Sequence, residues 1–183
     1  MTQGNDMGAT TIETLDAERM ERWLPDLAVI LRETTLDGSS VGFLPPFPLE
    51  ESLTYWRTIQ ADLAQGKRIV LVATRDGRLL GTVQLELMWK PNQPHRVELQ
   101  KLLVAMDARN QGLGRRLMLA AEDATRASGR RLIVLDTQTD SIAHGLYQRM
   151  GYHEAGQIPN FALLPDGSYC PTTVLYKELG PSA

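Results

Sequence analysis

The chain has 183 residues, of which 43% are hydrophobic and 22% are charged, a composition typical of a globular protein rather than a disordered one. The formal net charge is -3, and the basic residues form only short clusters such as Arg115-Arg116, which argues against a nucleic-acid partner. No uncharged apolar stretch approaches the ~20 residues needed to span a bilayer, so we also expect no membrane partner.

The cysteine content and the N-terminus favour a reducing compartment. Cys170 is the single cysteine and cannot form an intramolecular disulfide. Residues 1–11 lack the basic and apolar regions of a secretory signal. We therefore expect a cytoplasmic protein with a disordered tail at residues 1–11. Residues 12–183 are expected to form a single domain, because a chain of this length can bury a sizeable core.

A strand and a helix are predicted next. Ile12–Leu15 has the composition of a strand, and Asp16 resembles a helix N-cap. Apolar residues then recur at intervals of three and four as far as Leu31, which indicates a helix. Pro25 lies within this pattern and is predicted to kink or split the helix, since it has no backbone N–H to donate.

A proline-rich loop precedes the second predicted helix. Val41–Pro48 contains one glycine and three prolines, which excludes a regular helix and predicts a shaped loop. Its aromatic residues are expected to line a site, as loop residues often do. Leu49–Gln65 carries apolar residues on one side and is followed by Gly66, a pattern that predicts a helix ending there.

The middle of the chain has the pattern of strands. Arg68–Thr74 and Arg78–Trp89 are rich in β-branched residues and leucine, and Asp76-Gly77 between them is a strong two-residue turn signal. The two segments are therefore predicted to form a hairpin. Pro91–His95 is predicted to be a loop, and Arg96–Val104 to be a further strand.

Helices and strands alternate in the last third of the chain. The pattern predicts helices over Leu113–Ser128 and Ser141–Met150, a buried strand over Arg131–Thr137, and a closing hairpin of Tyr152–Leu164 and Tyr169–Leu179. The complete order is βααβββαβαββ. This order predicts an α+β fold with a mixed, mostly antiparallel central sheet, one right-handed crossover and helices on the faces of the sheet.

One glycine motif indicates an anion site. Arg109-x-x-Gly112-x-Gly114 lies between a predicted strand and a predicted helix, where glycines let the backbone approach an anion and the first-turn N–H groups point outward. The P-loop pattern is absent, which excludes that class of site. A nicotinamide-dinucleotide site with Asp136 on the ribose stays open, although Leu117 occupies the third glycine position. A tight turn without a ligand is the remaining alternative.

A family resemblance becomes specific further along the chain. The turn at Arg109–Gly114, the strand after it, and Ala143-x-x-x-Tyr147-x-x-x-Gly151-Tyr152 together resemble the GNAT family of N-acetyltransferases. The resemblance covers roughly Arg68 to Leu179. The helical N-terminal third is similar to the family's variable, substrate-facing region.

The resemblance implies that acetyl-coenzyme A (acetyl-CoA) is the acetyl donor. Backbone N–H groups of the turn would hold its pyrophosphate, and the strand before the turn would hydrogen-bond its pantetheine arm as another strand does. The turn residues implied are Arg109, Gln111, Gly112, Leu113, Gly114 and Arg115, and the strand residues are Leu102, Leu103 and Val104. Asp140 stands where relatives often have an asparagine that contacts the cofactor arm, but a carboxylate can only accept there.

The resemblance also implies catalytic residues. Tyr147 matches the tyrosine that protonates the departing thiolate. Glu98 and Asp136 lie on strands predicted to be neighbours, so both carboxylates could project toward the acetyl group and take the amine proton, where partial burial would help. In the alternative interpretation Glu98 pairs with Arg96 or Lys101, and Asp136 caps the loop that follows it. The three histidines lack metal-ligand spacing, and no metal site is expected.

A closer branch is suggested by three segments. Glu98–Val104, Leu135-Asp136-Thr137, and Leu164–Gly167 followed by Pro171-Thr172, resemble the tabtoxin-resistance acetyltransferases, in which the acids matching Glu98 and Asp136 are assigned base roles. The resemblance implies direct acetyl transfer to a primary amine of a small molecule, such as an antibiotic or toxin, and it makes a homodimer plausible. A non-catalytic acyl-CoA-binding sensor is the rival interpretation.

Overall fold

The structure is a computed structural model that describes residues 8–180. Seven strands form one sheet with the order β1-β2-β3-β4-β5-β7-β6, in which the β4–β5 pair is parallel and the other neighbouring pairs are antiparallel. The strands are β1 (Thr11–Leu15), β2 (Arg68–Arg75), β3 (Arg78–Leu87), β4 (Arg96–Val104), β5 (Leu132–Gln138), β6 (His153–Leu163) and β7 (Tyr169–Glu178), and the helices are α1 (Ala17–Leu36), α2 (Leu49–Ala64), α3 (Leu113–Ala127) and α4 (Ile142–Arg149).

The observed order of elements confirms the predicted α+β fold. The β4–α3–β5 segment is the predicted crossover, because it joins the two parallel strands. A short 3-10 turn at Met106–Ala108 is an element that the sequence pattern did not indicate. The predicted tail at residues 1–11 lies mostly outside the described residues, and its last residue, Thr11, already belongs to β1.

Helix α1 differs from its prediction. The Asp16 side chain accepts a hydrogen bond from the Arg19 N–H at 2.7 Å, so the predicted N-cap is present. The predicted effect of Pro25 is a kink or a split. The helix continues through Pro25 without a break, so the split is wrong. Leu24 and Leu27 on either side of Pro25 are buried in the core, so tertiary packing stabilises the helix across the missing hydrogen bond.

Helices cover both faces of the sheet. On one face, α1 and α2 pack together, where the Ser52 hydroxyl donates to the Ala28 carbonyl at 2.9 Å. Tyr55 of α2 reaches Gln84 of β3 on this face, with its hydroxyl 3.3 Å from the Gln84 Oε1. Leu117 of α3 lies over Gly81, whose position on β3 faces the other way. Among residues 8–180, no helix is both long enough and apolar enough to cross a membrane.

Two irregularities of β4 shape the centre of the sheet. The parallel register with β5 covers only three residue pairs and ends at Glu98 and Val134. On the β3 side, Lys101 and Leu102 together lie opposite Val83 alone, which makes a β-bulge. Lys101 has a φ of +51°, in the left-handed region that side-chain-bearing residues rarely adopt.

Candidate active site

A cavity of about 920 Å³ lies where β4 and β5 separate. Leu99–Val104 of β4 and Asp136–Gln138 of β5 line it beyond the last shared residue pair. Because β4 has no registered partner on its β5 side in this stretch, the backbone N–H and C=O groups that point to this side are available to an extended ligand, apart from the Val104 carbonyl, which accepts from Arg109 Nε at 3.3 Å. Leu102, Leu103 and Val104 are all part of this wall.

The glycine turn forms one end of the cavity. Gly112 is the N-cap of α3 and has a φ of +76°, a conformation that glycine adopts without steric cost. The Arg116 N–H donates to the Gly112 carbonyl at 3.2 Å and so makes the first hydrogen bond of the helix. The N–H groups of residues 113–115 precede that bond, and all three residues line the cavity. This arrangement is suited to bind a phosphate.

Arg109 ties the turn to the rest of the site. Its Nη1 lies 2.7 Å from Oδ2 of Asp37 at the end of α1, and its Nε lies 3.3 Å from the Val104 carbonyl oxygen. The side chain is therefore already engaged by protein groups. Arg109 lines the cavity, but these contacts indicate that it mainly positions the turn against β4 and α1.

Two predicted cofactor residues lie outside the cavity lining. The Gln111 side-chain amide donates to the Asp107 carbonyl at 3.0 Å, within the turn itself. Asp140 is exposed with a φ of +60°, and its backbone N–H donates to His144 Nδ1 at 3.0 Å. The backbone contact implied for Gln111 and the side-chain contact implied for Asp140 therefore find no support in this geometry, since neither residue lines the cavity.

Tyr147 is brought into the cavity wall by α4. Ser141 caps this helix by accepting a hydrogen bond from the His144 N–H at 3.1 Å, and Tyr147 lies near the other end of the helix. The tyrosine side chain is only 5% exposed and lines the cavity. Burial, followed by the negative charge of Asp136, raises the pKa of the Tyr147 phenol above its ordinary value. The phenol is therefore protonated at neutral pH.

The two predicted acids occupy different environments. Asp136 lines the cavity, is exposed rather than partly buried, and accepts a hydrogen bond from the Thr172 hydroxyl at 3.1 Å. Glu98 does not line the cavity, and its Oε1 lies 3.0 Å from Nη1 of Arg96. Asp136 therefore lies in the cavity wall, whereas Glu98 lies outside it. Glu98 forms the ion pair of the alternative interpretation.

Several lining residues were not predicted from the sequence to be site residues. Lys101 is the most unusual of them, because the bulge that positions it depends on the register between β3 and β4. Thr172 reaches Asp136 from β7. No local pattern indicates either contact. Cys170 is buried and also lines the cavity.

Comparison with known proteins decides the family. The sequence profile of the acetyltransferase (GNAT) family matches residues 32–152. This chain belongs to the GNAT acetyltransferase family. The protein is therefore an N-acetyltransferase, and acetyl-CoA is its acetyl donor. The nicotinamide-dinucleotide alternative receives no support.

Two relatives illustrate the extent of the match. An uncharacterized N-acetyltransferase of Azospirillum brasilense is 33% identical over 134 residues, which cover 72% of this chain and 77% of the relative. The L-methionine sulfoximine/L-methionine sulfone acetyltransferase of Pseudomonas paraeruginosa is 25% identical over 161 residues, covering 87% of this chain and 91% of the relative.

Solved structures share the fold of this GNAT protein. An N-acetyltransferase from Staphylococcus aureus superposes with a TM-score of 0.77 at 18% identity, covering 94% of this chain and 99% of that one. The Salmonella typhimurium protein yncA, solved with its cofactor acetyl-CoA, gives a TM-score of 0.76 at 19% identity and covers 96% of both chains.

The residues of this chain fit the donor. The cavity joins a helix N-terminus that suits phosphate to an unpaired strand backbone that suits an extended amide-containing arm. Leu113, Gly114 and Arg115 would hold the phosphates through backbone N–H groups, and Leu102–Val104 would hold the arm.

Proposed function

We propose that this GNAT enzyme acetylates a primary amine of a small molecule by direct attack within a ternary complex. The observation that carries the proposal is that Asp136, Tyr147 and the glycine turn all line one cavity. A base, an acid and a donor site therefore share one continuous space. Acetyl-CoA supplies a thioester whose carbonyl carbon accepts the amine and whose thiolate is a tolerable leaving group.

Asp136 and Tyr147 are assigned complementary roles. Asp136 would take a proton from the ammonium group of the acceptor, directly or through water, because only the neutral amine is nucleophilic. Tyr147 would donate its phenolic proton to the departing sulfur. Its position in the cavity wall supports this role, and a phenol is protonated at neutral pH and so has a proton to give. Cys170 receives no role, because no histidine motif accompanies it.

The acceptor would enter between the loop that follows α1 and the β6–β7 hairpin. Gly38–Ser40, Gly42 and Ala162 line the large cavity and also a smaller one of about 410 Å³ beside it. Phe161 of β6 completes this side of the large cavity. Cavities of this size suit a small molecule as acceptor.

Relatives guide the choice of acceptors to test. One relative acts on L-methionine sulfoximine and L-methionine sulfone, both of which carry a primary amine. An acetylation screen should therefore start with these compounds and extend to other amino acids, polyamines, aminoglycosides, β-lactam dipeptides of the tabtoxin type, and short peptides. Detoxification of an antibiotic or toxin is the physiological role that the proposal favours.

Release of free thiol from acetyl-CoA measures the reaction. The proposal expects at least one small amine to release thiol with saturation kinetics, together with a product heavier by one acetyl group. Tight binding of acetyl-CoA without thiol release for any member of the panel would instead support the acyl-CoA sensor, which uses the same cavity without chemistry.

We also include a homodimer in the proposal. Strand β6 is the edge of the sheet, and Ile158 and Leu163 on it are exposed at 47% and 42%. An exposed apolar edge strand is a natural template for pairing with a second copy. Sedimentation equilibrium at several concentrations measures the mass. A monomer at every concentration would remove the dimer and leave the proposed reaction unaffected.

A further inference from the structure

We propose that Lys101 binds an anionic group of the acceptor, so that the acceptors are amines that also carry a carboxylate or a related acid group. The inference rests on the proposed function and deepens it. Lys101 lines the same cavity as Asp136, which the proposed function assigns to the amine. The acceptor would thus be held at two points of opposite charge.

The backbone of Lys101 adopts an energetically unfavourable conformation. Lys101 is the left-handed residue of the bulge on β4, with a φ of +51°. For a residue with a side chain this conformation costs roughly 1 kcal/mol, and glycine would avoid the cost. A lysine kept at a position that favours glycine, inside the wall of the active-site cavity, indicates that its side chain is needed there.

The surroundings of the Lys101 ammonium are mostly apolar. Its nitrogen lies 5.5 Å from the ring centroids of both Phe43 and Tyr55. A Cβ placed on Gly42 would lie 3.5 Å from the same nitrogen, so the loop backbone closes over it. Within residues 8–180, no carboxylate oxygen lies within 4.0 Å of this ammonium group.

The nearby acids of β3 and α2 are already engaged. Arg68 lies 2.9 Å from Glu86 and 3.2 Å from Asp62, and its Nη1 also lies 3.2 Å from the Gln100 Oε1. Arg68 is therefore satisfied by protein groups, whereas Lys101 is not. The two cations thus differ, because Lys101 lines the cavity and Arg68 does not.

Electrostatics support the same conclusion. Burial, and next the positive charge of Arg68, lower the pKa of the Lys101 ammonium, while Asp136 raises it. This half-buried ammonium is held by cation–π contacts with two rings rather than by a carboxylate, and an incoming anion would offset its loss of hydration. An acceptor with an ammonium group near Asp136 and an acid group near Lys101 would complement both charges and would be held in one orientation.

Matched acceptors and variants test the proposal. The acceptors are α-amino acids and their α-carboxamides, which differ in the anionic group. The variants are Lys101→Met, which keeps an apolar stem, and Lys101→Arg, which keeps the charge. Lys90→Met is the control, because Lys90 is exposed on the β3–β4 loop outside the cavity lining. Acceptor binding is measured by calorimetry with coenzyme A present, and turnover by thiol release.

We expect the wild-type enzyme to bind the acids about 10- to 100-fold more tightly than the carboxamides, as a charge-assisted hydrogen bond provides. Lys101→Met should remove this preference by weakening the acids alone, with KM raised and kcat changed less than about threefold. Lys101→Arg and Lys90→Met should keep the preference. Acetyl-CoA affinity should stay the same in all three variants, which shows that they are folded.

Three results would overturn the proposal. They are equal binding of acids and carboxamides by the wild type, an intact preference in Lys101→Met, and no binding of any acid. Thiol release tests the proposed function separately from acceptor binding. If acids bind through Lys101 but release no thiol, the proposed reaction fails and the Lys101 assignment stands. If amines without an acid group release thiol and the acids are not preferred, the reaction stands and the Lys101 assignment fails.

Discussion

A Cβ atom placed on Gly81 would lie 2.7 Å from the backbone carbonyl oxygen of Leu103. The two residues lie on the neighbouring strands β3 and β4, and Leu103 is part of the strand segment that lines the acetyl-CoA cavity. The same Cβ would lie 3.1 Å from Leu117 Cδ1 on α3. The missing side chain at position 81 thus lets β4 approach β3 closely beside its bulge.

Gly81→Ala should therefore move β4. The clash is with backbone, which cannot rotate away, so we expect the free energy of unfolding to fall by about 1–3 kcal/mol. Affinity for acetyl-CoA should fall as well, because the displaced strand carries the backbone proposed to bind the arm. Denaturant unfolding and calorimetry measure the two effects. Gly180→Ala is the control, with no atom within 4 Å of its Cβ. Identical behaviour of the two variants would argue against a close approach at Gly81.

Gly112→Ala separates backbone strain from ligand contact. Gly112 and Gly129 have φ values of +76° and +75°, and an added Cβ meets no atom within 4 Å at either site. Alanine at either position should lower the free energy of unfolding by about 1–2 kcal/mol. Only Gly112 lines the cavity, so only Gly112→Ala should also raise the Kd for acetyl-CoA, by roughly tenfold or more. Equal Kd values would show that the turn does not hold the phosphates.

Tyr147→Phe tests whether the Tyr147 phenol is the general acid of the reaction. Loss of the phenolic proton should lower kcat by roughly 10²-fold and leave the KM for acetyl-CoA nearly unchanged. Tyr152→Phe is the matched control, because this buried ring lies 5.8 Å from that of Tyr147 but outside the cavity lining. Steady-state thiol release measures both variants. A kcat for Tyr147→Phe within a factor of three of wild type would remove Tyr147 from the mechanism.

The same tyrosine predicts an alkaline effect on stability. The pKa of Tyr147 is raised in the folded state by burial and then by Asp136. Its contribution to stability is therefore fully present below the unfolded pKa, about 10, and is lost as the pH rises through the higher folded value. Unfolding measured between about pH 9 and 11 should show a smaller decline in Tyr147→Phe than in the wild type. Parallel declines would contradict the shift.

Asp136→Asn and Glu98→Gln distinguish the two candidate bases. Asp136 lines the cavity, whereas Glu98 is paired with Arg96 outside the lining. We expect Asp136→Asn to lower kcat/KM by about 10²-fold or more, as removal of a general base does. Glu98→Gln should lower it less than about threefold. The reverse ranking, measured over a range of pH, would reassign the base to Glu98.

Helices and strands were predictable where short-range pattern decides them. The N-cap at Asp16 and the glycine turn around Gly112 could be read directly from the chain, because capping and positive φ are local chemistry. Pro25 shows the limit of such rules. Its local preference against helix is overridden by the burial of neighbouring leucines, which depends on the sheet beneath them.

The contacts of the acids were less predictable. Glu98 and Asp136 lie on neighbouring strands, as the pattern indicated, but the register and the separation of β4 from β5 decide where each side chain lies. Glu98 is in the last residue pair before the strands separate and remains beside Arg96. Asp136 follows the last paired residue of β5, Val134, and lines the cavity.

The amino-acid sequence by itself determined the order of elements, the glycine turn and the family, because periodicity, capping and short motifs act over a few residues. Only the tertiary structure decided that Lys101 lines the cavity beside two aromatic rings. The physical reason is that a β-bulge is a relation between two strands. One extra residue on β4 opposite Val83 alters the alternation of side chains, and no property of the segment around Lys101 alone specifies it.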